Sequence, residues 1–301
     1  MKLAKLLIEY CSMETQSKVI IVTDDWQADM AKEIASGLNE NYHVQISKFD
    51  VSSWQLPQGL TTNDLLIVML SLDTFITKQA NRYFSPFRKP KGLLAKYVFM
   101  RLDIPRQSLL EGLQTPITLV QGKVEELKQF SGCFLRVTNE AGTDLTLKTA
   151  DFLTASYCIE KPGEMAFLPP SESSAEVIPS TAEGVIVIDA SVGQLYYYGE
   201  LLGTFGLVKE PIKLIVQKGV LTDIIGGEMA DELKQKLFAL NPECRILVEL
   251  GHGLSQMQPI GLIGVDESCL GTCHFGFGDA GTSGVHLDLV IHKPQISLLN
   301  S

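Results

Sequence analysis

Two strand-length runs in the first seventy residues are apolar at nearly every position: Lys18-Val19-Ile20-Ile21-Val22-Thr23 and Asp64-Leu65-Leu66-Ile67-Val68-Met69-Leu70. A strand that is apolar on both faces has to be covered on both faces, which is the condition of a parallel sheet between helices. The neighbouring pattern supplies those helices. Leu3, Leu6, Leu7 and Tyr10 recur at helical spacing over roughly residues 2–13, and a second helical pattern runs from Trp26 to Leu38. An alternating strand, His43-Val44-Gln45-Ile46-Ser47-Lys48-Phe49, follows. Residues 1–125 therefore read as an α/β N-terminal domain with a parallel sheet in three layers, closed by Ile117-Thr118-Leu119-Val120. No G-x-G-x-x-G follows the first strand, so the reading contains no dinucleotide site.

The pattern changes after Pro116. Cys133–Asn139 and Gly142–Leu147 read as a hairpin, and the Pro-, Ser- and Glu-rich residues 160–182 as an irregular loop. Short strands follow at 184–190, 195–198, 211–217 and 220–225, then a helix from about Met229 to Leu240, then the strand Arg245–Glu249. Residues 126–301 thus read as a β-rich α+β C-terminal domain.

Charge and hydropathy remove several classes of function. The net charge is -10, and the densest basic group, Arg88, Lys89 and Lys91, reads as a solvated turn, so no nucleic-acid partner is expected. No run approaches the roughly 18 apolar residues of a membrane span. The opening Met1–Tyr10 is interrupted by Glu9 and reads as an amphipathic helix rather than a leader. Six dispersed cysteines in such a chain are expected to be reduced thiols, and the expected location is the cytoplasm.

Four of the five histidines fall in the last fifty residues, and three of them sit among glycines and carboxylates: Glu249-Leu250-Gly251-His252-Gly253, Cys273-His274-Phe275-Gly276 and His286-Leu287-Asp288. Imidazole and carboxylate are the usual ligands of Zn, Fe and Mn. On a strand, residues i and i+2 share a face, so His286 and Asp288 can reach one ion. Glu249 ends a strand three residues before His252, placed to bind a second metal or to orient an imidazole. Glycine runs suit close approach of loops to one point. The aromatic run Tyr196-Tyr197-Tyr198 reads as a packed strand whose alternate rings can line a substrate pocket.

Several segments in order carry a family resemblance: Gly142–Thr146, Pro162-Gly163-Glu164-Met165 with Pro169, Ala182–Asp189, Gly219-Val220 with Ile225-Gly226-Gly227, and His274–Gly278 through to His286-Leu287-Asp288. Together with Leu3–Tyr10 and Lys18–Ile21 they resemble the aminopeptidase T (M29) metallopeptidases and their relatives, the 2,5-dihydroxypyridine dioxygenases. The resemblance implies a metal-dependent enzyme acting on a small molecule. It implies Glu164 and Glu249 as metal-site glutamates, His274 as a ligand or acid–base group, and His286 and Asp288 as a closing ligand pair. The peptidases carry a tyrosine soon after the first of these histidines, which this chain lacks between His274 and Ser301, and an apolar residue where this chain has His252.

Both differences turn the expectation toward a mononuclear Fe(II) ring-cleaving dioxygenase, with His252, His286 and Asp288 on the metal and His274 and Glu164 as candidate catalytic groups. Two alternatives stand beside it. One is a divalent-metal aminopeptidase using Zn, Co or Mn on short peptides, and the other is an inactive binding protein of the same fold. The relatives also imply self-association into a homo-oligomer.

Overall fold

A computed structural model describes residues 2–49, 57–71, 93–100, 104–159 and 161–299. Arg88, Lys89 and Lys91 lie outside the described residues. By its contacts the chain forms two compact units: residues 1–117 with 155–170, and residues 118–154 with 171–301.

The first unit is the expected α/β layout. Its sheet runs His43–Lys48, Lys18–Thr23, Leu65–Met69, Lys96–Met100, Met165–Leu168, with every pair parallel. The two apolar runs occupy central positions, and Val19, Ile21, Val22 and Leu65 to Met69 are fully buried. Helices Lys2–Cys11 and Ala28–Leu38 contribute Leu3, Leu7, Ile34 and Leu38 to the core. The edge strand His43–Lys48 carries the exposed residues, but its burial departs from the alternation of its sequence, with Ile46 exposed and Ser47 half-buried. Buried Asp64 joins the strand starts by accepting from the backbone N–H of Lys18 at 2.9 Å and of Thr61 at 2.7 Å.

Two readings of the sequence are corrected. Ile117–Val120 belongs to the helix Ile117–Lys128, which buries Val120, Val124 and Leu127 at intervals of four and three. A four-residue apolar run does not distinguish a strand from one turn of helix. Residues 160–182 are not one loop. Met165–Leu168 adds the fifth strand to the first unit, and Glu172–Glu176 enters a sheet of the second. At four and five residues, divided by Pro169-Pro170, both strands are too short to show a periodicity. The chain consequently passes between the units more than once, where the sequence reading divides it once near residue 125.

The second unit contains two large antiparallel sheets and a small two-stranded one, Leu195–Tyr197 with Glu200–Gly203. One large sheet has six strands, ordered Val220–Ile225, Ile212–Gln217, Glu183–Ile188, Asp144–Lys148, Phe134–Thr138, Gln295–Leu298. The other has seven, ordered Gly206–Leu207, Ser191–Val192, Leu287–His292, Thr272–Phe277, Leu247–Gly253, Glu172–Glu176, Leu153–Thr154. One core joins them: Leu145, Ile186 and Leu214 from the first sheet meet Leu250, Phe275 and Leu289 from the second, with Leu233 and Leu237 of helix Glu228–Phe238. Face-to-face packing leaves each sheet one face for other uses. Among the described residues no helix is long and apolar enough to cross a membrane.

Candidate metal centre

The face of the seven-stranded sheet turned away from the shared core carries the titratable cluster. Register places Glu176, Glu249, Gly276 and Asp288 in one row across four neighbouring strands, and Ser174, Gly251, His274 and Val290 in the next. Strand periodicity sends these side chains to one face, and Leu250, Phe275, Leu287 and Leu289 to the core. His286 precedes its strand by one residue and has the parity of Asp288. The glycines here are not in turns, as the sequence suggests, but inside strands. A side chain at Gly251 would overlap the His274 imidazole. A Cβ at Gly276 would lie 2.9 Å from Glu249 Cβ, 3.0 Å from His286 Cε1 and 3.2 Å from Asp288 Oδ1. Glycine inside a strand marks such close approach.

Two ligand groups result, Glu249–His286–Asp288 and Glu172–Glu249–His274, each with its donor atoms within 4.8 Å of one another. His286 Nε2 lies 3.1 Å from Glu249 Oε2 and 3.3 Å from Asp288 Oδ1. His274 Nε2 lies 2.8 Å from Glu172 Oε2. His286 Nδ1 is 3.1 Å from the Gly278 carbonyl oxygen, which can only accept, so Nδ1 carries a proton and Nε2 faces the carboxylates. This is the outer hydrogen bond that orients a metal-binding histidine. His274 is 1% exposed, whereas the side chains of Glu172, Glu249 and His286 are 29%, 23% and 30% exposed, so the cluster is reachable from outside.

Electrostatics fit a cation. Burial by itself would lower the His286 pKa, but the carboxylates of Asp288 and Glu249 lift it to about 12. Burial likewise opposes protonation of His274, and the charge and hydrogen bond of Glu172 raise it to about 10. Burial pushes the Glu249 carboxyl up, yet the hydrogen bond from His286 and the charge of His274 bring it down to about 2. Three carboxylates against two imidazolium ions still leave negative charge, and His274 Nδ1 is buried without a hydrogen-bond partner. Hard oxygen and imidazole donors in this ratio suit divalent Zn, Mn, Co or Fe.

Of the residues singled out in the sequence, Glu249, His274, His286 and Asp288 meet. His252 does not meet them. It alternates with Gly251, pairs with Ser173 and Cys273, and points to the core face, its ring 6.3 Å from Phe152. Burial lowers its pKa to about 3, so it is a neutral core imidazole with Nε2 unpartnered. The expected triad of His252, His286 and Asp288 is thus divided between two faces of one sheet. His252→Leu is expected to leave the bound-metal content of the purified protein unchanged; loss of metal in elemental analysis would contradict the face assignment.

Glu164 lies in the first unit, where its Oε2 accepts from Lys161 N at 2.8 Å. The glutamate that the sheet brings to His274 is Glu172, eight residues later. Glu172 lies inside the presumed loop, where Glu172-Ser173-Ser174-Ala175-Glu176 carries no apolar alternation that would mark it as a strand.

Comparison with known proteins agrees with this architecture. A solved structure of 2,5-dihydroxypyridine dioxygenase from Pseudomonas putida KT2440 superposes with a TM-score of 0.61 at 16% identity, covering 99% of this chain and 92% of that one. Wild-type AmpT from Thermus thermophilus superposes with a TM-score of 0.56 at 13% identity, covering 99% and 95%. No curated protein sequence matches the chain. The family model NicX, 2,5-dihydroxypyridine 5,6-dioxygenase, matches residues 102–259, a stretch that contains Glu172 and Glu249 and ends before His274. Since that match spans more than half of the chain, the protein belongs to the NicX family.

Proposed function

We propose that the chain is a metal-dependent hydrolase with a two-cation centre, acting on a small substrate of the short-peptide class. The observation that carries this reading is the sharing of Glu249 by two ligand groups, one completed by His286 and Asp288 and the other by Glu172 and His274. Glu249 belongs to both groups, so it would be a ligand common to two ions held there. Divalent ions bound there would polarise a substrate carbonyl and supply an acidified water. The chain's own contribution is placement. Gly278 holds the His286 tautomer, the buried strand holds His274, and Gly251 and Gly276 keep the floor clear of side chains. The partial exposure of Glu172, Glu249 and His286 admits a small substrate.

A second reading, a ring-cleaving Fe(II) dioxygenase, is supported by the family model and by the first of the two solved structures. It draws on Glu249, His286 and Asp288, one imidazole and two carboxylates rather than the expected two imidazoles and one. One paired assay separates the readings. Protein loaded with zinc or cobalt is expected to release N-terminal amino acids from short unblocked peptides. Inertness toward peptides, together with oxygen uptake by the Fe(II)-loaded protein on a dihydroxylated pyridine, would overturn the hydrolase reading in favour of the second.

A further inference from the structure

The run Tyr196-Tyr197-Tyr198 is not, as its sequence suggests, one strand. Tyr197 pairs with Glu200 in the hairpin Leu195–Tyr197/Glu200–Gly203, so Tyr198 and Gly199 form its two-residue turn. Both have positive φ, 48° and 85°. This is the type I′ arrangement, whose first position favours Asn, Asp or Gly. A bulky aromatic residue there is strained, and such strain persists only where surrounding contacts over-determine the conformation.

Those contacts fall on one loop. Tyr198 N donates to the Gly284 carbonyl at 2.8 Å, and its Oη lies 3.4 Å from the Thr282 carbonyl. The ring covers Gly284, where a Cβ would fall 2.6–2.8 Å from three ring carbons. Tyr197 braces the Tyr198 ring edge-on at 4.7 Å between centroids. The loop joins the strand of His274 to His286 and Asp288. At its near end Gly278 N donates to the Ile246 carbonyl at 2.8 Å, and Gly278 O receives the His286 Nδ1 proton. Between the two anchors, Asp279 Oδ1 accepts from Gly281 N and Thr282 N at 2.7 and 3.0 Å, which makes the loop a compact unit rather than a slack tether.

We propose that Tyr198 is a positioning residue for the metal centre. Its ring and backbone N–H clasp the far end of the loop, so that the Gly278 carbonyl stays on His286 Nδ1 and Nε2 stays aimed at Glu249 and Asp288. The proposal rests on the reading of Glu249, His286 and Asp288 as a cation site. The strained tyrosine is the device that couples an outer hairpin to that site.

Tyr198→Asn separates the clasp from the turn, because Asn suits the turn position while the ring is lost. Tyr198→Phe keeps the ring, and Tyr198→Gly is a second ring-free variant at home at positive φ. Two readouts apply: zinc affinity, by competition with a chromophoric chelator, and amide exchange across residues 278–286 in EDTA-treated protein. Tyr198→Asn is expected to weaken zinc binding by about tenfold, within the range for outer partners of metal ligands, and to speed loop exchange by about tenfold. The thermal midpoint of the metal-free variant stays unchanged or rises. Tyr198→Phe stays within about twofold of wild type in both readouts. Unchanged exchange in Tyr198→Asn and Tyr198→Gly overturns the clasp whatever the zinc result. Faster exchange with unchanged zinc affinity overturns the positioning role. A wild-type protein that takes up no zinc overturns the cation site, and the role of Tyr198 toward it falls as well.

Discussion

Glu249→Ala should strip both cations from the protein, whereas Glu172→Ala should remove one and leave the other. The asymmetry follows from membership: Glu249 stands in both ligand groups and Glu172 only in the pair with His274. Loss of an outer hydrogen-bond partner already costs about 10–100-fold in affinity, so loss of a shared ligand should exceed about 100-fold at each position. Hydrolysis should vanish with Glu249→Ala. Folding should survive with lower metal-free stability, because Glu249 points away from the core but its carboxylate faces His286 and His274. Elemental analysis after dialysis against micromolar zinc gives the count directly. Equal cation content in the two variants would contradict the bridging role.

The second large effect is with pH. With no cation bound, the neighbouring carboxylates hold the His274 and His286 pKa values up at about 10 and 12 despite burial, against an ordinary value of 6.5, and the two imidazoles hold the Glu249 carboxyl down at about 2, against 4.5. A raised imidazole pKa contributes stability that is fully present below about pH 6.5 and is lost as pH rises toward the folded value. A lowered carboxyl pKa contributes stability that is present above about pH 4.5 and is lost as pH falls toward the folded value. The metal-free protein should therefore be most stable between about pH 4.5 and 6.5 and weaken from pH 7 to 9. A bound cation requires neutral imidazole, so each of the two ions displaces one proton, and affinity at each site should rise about tenfold per pH unit in this window. Calorimetry of zinc binding at pH 7.5, in buffers of differing ionisation enthalpy, should show two protons released per chain. Zero protons, or a metal-free stability that climbs from pH 7 to 9, would contradict the paired-imidazole description.

Much of this could be read from residue order, and the failures have physical causes. The apolar runs at 18–23 and 65–69 give the parallel sheet because burial on both faces has few other solutions. His286 and Asp288 were legible as a pair because a spacing of two survives any register. Glu249 and His252 stand three apart on one strand, so they cannot share a face, and that parity was available before any coordinates. The glycines around His252 mask that parity, because a Gly-His-Gly stretch reads as a turn. Glu172 was hidden for a different reason. A five-residue strand after two prolines has no periodicity of its own, and its place beside Gly253 is set by long-range pairing. Tyr198 stands out in the aromatic run, but its role does not, since only its turn geometry and the loop beneath it show what its ring contacts.

The central claim, that one face of the seven-stranded sheet gathers five side chains around shared cations, is tested most directly by anomalous diffraction at the zinc edge from crystals grown with zinc. The account predicts one peak within bonding distance of His286 Nε2 and the carboxylates of Glu249 and Asp288, and a second between Glu172, Glu249 and His274. Peaks beside His252 on the core face, or none at either predicted position, would contradict it.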